Sequence, residues 1–183
     1  MFNTTIATQI YAKICFEATN SQKKIIENLS EYLSDDDFSR IFVLNGFAGT
    51  GKTTLIAALV AALKELRIKP VLLAPTGRAA KVLARYCGEQ ALTIHKRIYR
   101  QRTNADYESK FSLDFNREQG AVFIVDEASM LSDSTGDGAL FGSGSLLEDL
   151  VSYVRSGRSC RLILVGDSAQ LPPVGCDFSP ALD

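Results

Sequence analysis

Short apolar runs alternate along this chain with longer segments in which apolar residues recur every three or four positions. The runs predict buried parallel strands, and the periodic segments between them predict helices. The predicted strands are 41–44, 71–74, 121–125 and 161–165. The predicted helices are 21–33, 53–66, 77–86 and 146–155, with a short helix or turn at 93–99. Because strands that alternate with helices form a mainly parallel sheet covered on both faces, the sequence predicts a three-layer α/β/α fold.

Two segments depart from this pattern. From Tyr107 to Phe115, apolar and polar residues alternate one by one, which predicts an exposed strand or half of a hairpin. The segment Ser132–Ser145 is rich in glycine and serine and predicts a loop, to which the sequence assigns no role. We therefore expect a single domain over residues 1–183 with a small hairpin insertion at about 100–118.

The eight residues from Gly46 to Thr53 fit the phosphate-binding pattern GxxxxGK followed by Ser or Thr. They lie between a predicted strand and a predicted helix, which is the context in which this pattern binds a nucleoside triphosphate such as ATP. Glycines let backbone N–H groups turn toward phosphates, and the N-terminus of the helix adds the positive end of its dipole. Lys52 offers a charge to the outer phosphates, and Thr53 offers a hydroxyl to Mg²⁺. The predicted nucleotide-binding residues of this loop are Gly46, Ala48, Gly49, Thr50, Gly51, Lys52, Thr53 and Thr54.

Polar residues also follow the third and fourth predicted strands. Asp126 and Glu127 come directly after the third strand, and a loop that contains Gln170 follows the fourth. Ligands bind at the carboxyl ends of the strands in open parallel sheets, so these loops are predicted to face one nucleotide. Asp126 would hold Mg²⁺, Glu127 would orient or deprotonate the attacking water, and Gln170 could reach the terminal phosphate or that water. A glutamate beside a metal-binding aspartate favours hydrolysis over transfer to an acceptor.

Composition and charge narrow the class of protein. With 183 residues, 46% of them hydrophobic, and a net charge of −1, the chain can bury a core but lacks the overall basic character of a protein that coats nucleic acid. The charge is uneven, because Arg78–Arg102 carries seven basic residues and one acidic residue, Glu89. No apolar run approaches the ~20 residues of a membrane span, and the N-terminal segment lacks the pattern of a secretion signal. We therefore expect a cytoplasmic protein without a membrane partner.

Five motifs, in order, resemble the first motor domain of the superfamily 1 DNA helicases in the RecD-like branch. They are GFAGTGKT at 46–53, APTGRAAKVL at 74–83, TIHKRIY at 93–99, VDEASM at 125–130 and LVGDSAQLPPVG at 164–175. The combination of APTGRAA, TIH and GDSAQLPPVG is much narrower than a phosphate loop with an acidic pair, which many nucleotide hydrolases share. The resemblance runs from near Cys15 to the C-terminus. It implies a RecA-like P-loop NTPase fold and a motor that couples ATP hydrolysis to 5′ to 3′ movement on DNA and to unwinding.

The resemblance also implies roles for single residues. Gln22 lies where these helicases carry a glutamine that reads the adenine edge, although it could equally be a surface residue. Gln170 would couple the γ-phosphate to the DNA-binding face. The segments around APTGR and TIH touch single-stranded DNA in this family, mostly through its phosphates. The DNA-binding residues so implied are Pro75, Thr76, Arg78 and His95.

Two of these assignments keep a second interpretation. His95 could be a capping or core histidine instead of a DNA contact. The alternating stretch at 107–115 occupies the position of a strand-separating pin in these helicases, yet its aromatic residues could pack against the domain instead. DNA binding would give the basic segment Arg78–Arg102 a function, whereas a solvated helix face is the more common meaning of such a run.

The family hydrolyses ATP between two similar motor domains, and arginines supplied across such a cleft are worth about 10³ to 10⁵ in rate. Nothing after Gly175 provides a second domain, so the sequence predicts a chain truncated before the second motor domain of the same polypeptide. Alone, it is expected to bind nucleotide with little turnover. Two other functions stay open from the residues: a P-loop phosphotransferase, which would need a lid and an acceptor pocket, and a non-catalytic nucleotide-gated DNA-binding module.

Overall fold

Every strand and helix that the hydrophobic pattern predicts occurs in the structure, in the predicted order along the chain. The structure, a computed structural model, describes residues 2–103, 109–131, 141–167, 169 and 179–182. Its helices are α1 (Phe2–Lys13), α2 (Asn20–Ser34), α3 (Lys52–Glu65), α4 (Gly77–Cys87), α5 (Ile94–Ile98) and α6 (Leu146–Ser156). Its strands are β1 (Ile41–Asn45), β2 (Pro70–Ala74), β3 (Ala91–Thr93), β4 (Tyr99–Thr103), β5 (Ser109–Leu113), β6 (Val122–Val125) and β7 (Arg161–Gly166). A 3₁₀ helix, Ala128–Met130, follows β6.

Five strands form the central sheet in the order β1, β7, β6, β2, β3, and every neighbouring pair is parallel. Residues at the strand ends are paired in register, with Asn45 opposite Gly166 and Ala74 opposite Thr93. Because the strands are parallel, all five carboxyl ends lie at one edge of the sheet. The loops that the sequence marked as polar leave the sheet at this edge.

Alternate side chains of each strand face two different helical layers. Leu72, Ile124 and Ile163 pack with α1, α2, α3 and α4. Their neighbours along the strands, among them Leu73 and Phe123, pack with α5 and α6 on the other face. Each such side chain, fully buried, contributes about 1.5–3 kcal/mol of hydrophobic stabilisation. Both faces of the strands are therefore apolar, which explains the continuous hydrophobic runs and confirms the predicted three-layer α/β/α fold.

The outer parts of the domain differ from the sequence prediction. Helix α1 was not predicted, although Ile6 and Ile10 lie one turn apart and are fully buried, in a helix that packs against α2 and α3. Two apolar residues are too few to give a clear helical period. Strand β1 was predicted to be buried, but its Val43 is 41% exposed. Among the described residues, β1 pairs only with β7, so it lies at the edge of the sheet.

The alternating segment contributes to a two-stranded antiparallel sheet of its own. Strand β5 pairs with β4, with Gln101 opposite Phe111. The hairpin insertion expected at about 100–118 covers most of both strands, although the sequence analysis assigned no separate strand before Tyr107. The N–H of Asp114 donates to the carbonyl of Ile98 at 2.7 Å and closes the base of this pair. We call β4 and β5 the hairpin. The residues between the two strands, 104–108, and residues 132–140 of the Gly/Ser-rich segment lie outside the described residues.

Tyr32 connects α2 to the first residues of β7. Its hydroxyl donates to the carbonyl of Leu162 at 2.8 Å and accepts the N–H of the same residue at 3.1 Å. The ring is buried, and burial raises the pKa of the phenol. We expect Tyr32→Phe to lower the free energy of unfolding by about 1–2 kcal/mol, because it removes a buried hydroxyl that bonds both backbone groups of Leu162.

Denaturant titration of the purified chain measures this effect. The control is Tyr86→Phe, because the Tyr86 side chain is 64% exposed. That substitution should change stability by less than about 0.5 kcal/mol. Equal stabilities of the two variants would show that the Tyr32 hydroxyl contributes nothing to the packing of α2 on the sheet.

Candidate active site

The loops that carry the predicted site residues leave neighbouring strands at the carboxyl edge of the sheet. The phosphate loop follows β1, Asp167 follows β7, and Asp126 follows β6. Backbone bonds hold these loops to adjacent strands, since Gly46 donates its N–H to Gly166 at 3.2 Å and Asp126 donates its N–H to Leu73 at 3.0 Å. Strand β7 therefore separates the phosphate loop from the acidic pair and fixes the gap between them.

The phosphate loop enters α3 through two glycines in the left-handed region. Gly49 has a φ of 79° and Gly51 a φ of 86°, values that glycine adopts without steric cost. Gly51 is also the N-cap of α3 and offers no side-chain cap to the first N–H groups of the helix. An anion can accept hydrogen bonds from such N–H groups, and the helix dipole favours its negative charge. The loop is therefore shaped to receive phosphate.

Lys52 lies folded over the same loop. Its Nζ donates to the carbonyl of Gly46 and, at 2.9 Å, to the carbonyl of Phe47. Both carbonyls belong to the phosphate loop, and the side chain is half-buried. The ammonium is therefore held next to the N-terminus of α3, where it can meet the outer phosphates of a nucleotide.

A cavity of 430 Å³ adjoins the loop, and we call it the phosphate cavity. It is lined by Ala48, Gly49, Gly51, Lys52, Thr53, Thr54, Tyr86, Asp126, Glu127, Gly166 and Asp167. The structure thus places the lysine, the threonine and the acidic pair around one space. Three of its lining residues were missed by the sequence analysis: Tyr86, Gly166 and Asp167. Asp167 could have been found, because it follows β7 directly, as Asp126 follows β6; no sequence signal marks Tyr86.

The acidic side chains of the phosphate cavity favour the presence of positive charge. Burial raises the pKa of the Asp126 carboxyl, and the charge of Lys52 opposes this rise. Burial, and then the neighbouring charge of Asp126, raise the pKa of the Glu127 carboxyl. Asp167 is only 3% exposed and lines the same space. Partly buried carboxylates whose pKa is raised by burial are stabilised in their charged form by a bound cation, and the carboxylate oxygens and the Thr53 hydroxyl are suitable ligands for Mg²⁺.

Glu127 is held beside Asp126 by an unusual backbone conformation. Its φ is 57° and its ψ 35°, in the left-handed region that non-glycine residues rarely adopt. Its N–H donates to Oδ1 of Asp126 at 3.0 Å. Backbone strain of this kind is found at functional sites, where it fixes the direction of a side chain.

A second cavity, of 520 Å³, adjoins the first at the phosphate loop, and we call it the base cavity. It shares Gly49, Gly51 and Lys52 with the phosphate cavity. The rest of its wall is largely apolar and includes Ile25, Leu44, Phe47 and Leu55. Phe47 is 66% exposed, so its ring is open to a ligand. An apolar cavity next to a phosphate-binding loop suits the base of a nucleotide.

Gln22 lines the base cavity, but both ends of its amide already have partners. Its Oε1 accepts the N–H of Thr19 at 3.0 Å, and its Nε2 donates to the carbonyl of Thr50 at 3.3 Å. The Thr19 side chain accepts the N–H of Gln22 in return, which completes a capping box at the start of α2. Gln22 therefore connects α2 to the phosphate loop. The sequence analysis missed this role, although Thr followed three residues later by Gln is the signature of a capping box.

The segments assigned to DNA contact follow β2 and β3, the next strands along the same edge. Pro75 is half-buried directly after β2, and the Thr76 side chain caps α4 by accepting the N–H of Ala79 at 3.2 Å. Arg78 is exposed in the first turn of α4. His95 is half-buried in α5, where its ring meets those of Tyr99 and Phe141. Burial lowers the pKa of His95, which favours a neutral imidazole.

Two charges of the basic segment support the base of the hairpin. Arg97 pairs with Glu118 at 2.7 Å, and Arg100 pairs with Asp114. Four others are exposed and form no ion pair within the part of the chain that the structure describes: Arg78, Lys81, Arg85 and Lys96. The excess of positive charge therefore serves partly to hold the structure and partly remains open to a ligand.

One predicted catalytic residue, Gln170, lies outside the described residues. Among the helices that the structure does describe, none combines the length and the apolar character needed to cross a membrane.

Comparisons with known proteins agree with the geometry. Residues 17–177 match the AAA domain family. The ATP-dependent RecD2 DNA helicase of Deinococcus radiodurans is 30% identical to the chain, over 84% of this chain and 19% of the relative. The RecBCD enzyme subunit RecD of Mycobacterium tuberculosis is 35% identical over 73% of this chain and 24% of its own length. The crystal structure of Pif1 helicase from Candida albicans superposes with a TM-score of 0.53 and 21% identity, covering 87% of this chain and 34% of that one.

These matches settle the family. The structural likeness to Pif1 confirms the predicted P-loop NTPase fold, and the family match makes the chain a nucleotide-binding domain. The chain spans about a fifth to a quarter of the length of the two curated relatives. It belongs to the AAA domain family and, within it, to the RecD-like branch of the superfamily 1 helicases that its five motifs indicated.

Proposed function

We propose that the chain is the ATP-binding motor domain of an ATP-dependent DNA helicase, which couples ATP hydrolysis to 5′ to 3′ movement on single-stranded DNA and to duplex unwinding in the cytoplasm. The names of the relatives, an ATP-dependent DNA helicase and a subunit of the RecBCD enzyme, support this proposal. A second motor domain of the same polypeptide would complete the cleft in which ATP is hydrolysed. The alternative of a phosphotransferase is not favoured, because the relatives are helicases.

One observation supports a coupling between ATP hydrolysis and DNA binding. A cavity of 240 Å³ is lined by Thr76, Arg78, Ala79, Val82, Asp126, Glu127 and Met130. The acidic pair therefore lines both this space and the phosphate cavity. A DNA strand that moves the Arg78 segment would change the surroundings of Glu127 directly, without a long chain of contacts.

Each residue of the phosphate cavity has a place in the proposed reaction. Lys52 and the N–H groups at the start of α3 would bind the outer phosphates of ATP, and Thr53 and Asp126 would hold Mg²⁺. When bound, Mg²⁺ neutralises charge on the phosphate oxygens. Glu127 would orient the attacking water and accept its proton. Gln170 would sense the γ-phosphate.

The base cavity and the neighbouring strands supply the remaining contacts. The adenine ring would lie against the apolar wall and Phe47, and Gln22 would turn from its capping partners to read the adenine edge. Single-stranded DNA would cross the ends of β2 and β3 and contact Pro75, Thr76, Arg78 and His95. Without arginines from a second motor domain, this domain alone would bind ATP and hydrolyse it slowly.

ATP hydrolysis by the natural gene product, measured with and without single-stranded DNA, tests the proposal. We expect single-stranded DNA to stimulate ATP hydrolysis. We expect Arg78→Gln to weaken DNA binding and to reduce the slope of log K for DNA binding against log salt concentration by about 0.7, which corresponds to the loss of one phosphate contact. The control is Arg158→Gln, because Arg158 is exposed in the loop before β7, at the amino ends of the strands and so at the opposite edge of the sheet. ATP hydrolysis at the same rate with and without DNA would refute the motor function. A DNA affinity that does not change with salt concentration would refute the proposed contacts to DNA phosphates.

A further inference from the structure

Aromatic rings meet where the hairpin joins the motor domain, and Phe141 lies at the centre of them. Its ring stacks on Phe111 of β5, with centroids 4.5 Å apart and an angle of 20° between the planes. The same ring meets His95 of α5 edge-on, at 5.0 Å, and lies 5.3 Å from the ring of Tyr99 in β4. Phe141 therefore contacts both strands of the hairpin and the helix that carries a proposed DNA contact.

Backbone bonds fix Phe141 and its neighbour in this position. The N–H of Gly142 donates to the carbonyl of Phe111 at 2.9 Å, and residues 111 and 141 form an isolated parallel bridge. Gly142 has a φ of 46°. A Cβ atom at this position would overlap Oδ2 of Asp149 and lie 2.7 Å from Cε1 of Tyr99. Only glycine lets the chain approach the hairpin so closely.

Asp149 joins the same assembly to α6. Its Oδ2 accepts the hydroxyl of Tyr99 at 2.6 Å and the N–H of Ser143 at 3.0 Å. The carboxylate is buried, so these bonds satisfy a group that would be costly to leave unpaired. The segment 141–143 is therefore anchored on one side to the hairpin and on the other to the first turn of α6.

The orientation of the hairpin relative to the rest of the domain depends on contacts such as those of the segment 141–143. In the described part of the chain, β4 and β5 pair with each other and not with the central sheet. A two-stranded hairpin is at best marginally stable by itself in water, so its orientation must come from contacts at its base. Ion pairs of Arg97 and Arg100 lie at this base, but Phe141 bridges the hairpin and α5 through a half-buried aromatic stack.

We propose that Phe141 is a positioning residue that holds the hairpin in a fixed direction relative to α5, so that the hairpin meets the DNA duplex at a constant distance from the strand bound at the carboxyl edge. The inference rests on the proposed helicase function for its consequence in unwinding. The placement of the hairpin itself does not depend on that function.

Hydrogen exchange in Phe141→Ala tests the placement. Loss of an aromatic pair of this kind should shift the equilibrium between the docked and the open hairpin about two- to tenfold. The amides of β4 and β5 should therefore exchange about two- to tenfold faster, whereas the exchange rates of β6 and β7 should not change. Phe141→Leu, which keeps apolar bulk against Phe111, should recover most of the protection. Phe115→Ala removes a ring that is 64% exposed and outside the stack, and should have no effect. Unchanged exchange in the hairpin, or equal acceleration in β6 and β7, would overturn the proposal.

Unwinding by the natural gene product tests the consequence. Phe141→Ala should reduce the number of base pairs opened per ATP hydrolysed by about two- to tenfold, whereas hydrolysis stimulated by single-stranded DNA stays within about twofold of the parent. Phe141→Leu should restore the ratio. A parallel loss of unwinding and hydrolysis, or an unchanged ratio, would refute the positioning role. A parent protein that shows no DNA-stimulated hydrolysis would refute the proposed function instead, and the exchange experiment would still decide the placement of the hairpin.

Discussion

Glu127→Gln should reduce ATP turnover by about 10²- to 10⁴-fold, the contribution of a positioned general base. The amide keeps the size and shape of the side chain but cannot accept a proton from water. Gln is also no less suited than Glu to the left-handed backbone at this position, so the strain does not change. Because Glu127 lines the phosphate cavity without being the proposed ligand of the phosphates, nucleotide affinity should stay within about threefold of the parent.

Phosphate release in the presence of single-stranded DNA measures the turnover, and titration with a fluorescent ATP analogue measures the affinity. Glu148→Gln is the matched control, since Glu148 is exposed on α6 and outside both nucleotide cavities. Turnover of Glu127→Gln close to that of the control would remove Glu127 from the chemistry and leave the proton transfer to another group.

Lys52→Ala should abolish both nucleotide binding and turnover. The ammonium is the cation of the phosphate loop and is already held over it by two loop carbonyls. Loss of a single preorganised group that stabilises developing negative charge costs about 10²- to 10³-fold in rate, and here the same group also binds the ground-state phosphates. The fold should survive, because among the residues that the structure describes the Lys52 side chain forms hydrogen bonds only to the phosphate loop.

Lys64→Ala provides the comparison, because it removes a lysine from the other end of the same helix, where its partner is Glu89. That variant should hydrolyse ATP within about twofold of the parent, since a surface ion pair contributes at most about 1 kcal/mol to stability. Full activity of Lys52→Ala would contradict the assignment of the phosphate loop. Activity that needs Lys52 but does not respond to DNA would instead favour a phosphotransferase or another P-loop hydrolase.

The two variants together separate binding from chemistry. Lys52→Ala should lose both nucleotide binding and ATP turnover, whereas Glu127→Gln should keep nucleotide binding and lose only turnover. A nucleotide-gated module without catalysis would show binding in the parent and no turnover in any variant.

Local signals in the sequence were sufficient for much of the fold. The strands β2, β6 and β7 were found from apolar runs because both of their faces are buried, and the helix predicted over 77–86 is α4, which ends at Gly88 with a φ of 63°. Helix α1 was missed, because its buried face offers only Ile6 and Ile10 in the described core. The exposure of Val43 was missed for a different reason: an apolar run indicates a strand but does not reveal whether a neighbour lies on both sides.

In the candidate site, too, some features could be predicted from the sequence and others depended on the tertiary structure. The sequence by itself predicted the phosphate loop and the acidic pair, because each is a short run of residues whose chemistry follows from their types and spacing. Its five motifs resembled the family that the comparisons then confirmed. Only the tertiary structure decided that β7 separates β1 from β6, that Glu127 lines two cavities, and that Phe141 joins the hairpin to α5. Strand order and side-chain stacking arise from contacts between residues far apart in the chain, and neither hydrophobic period nor motif spacing records which distant partners meet.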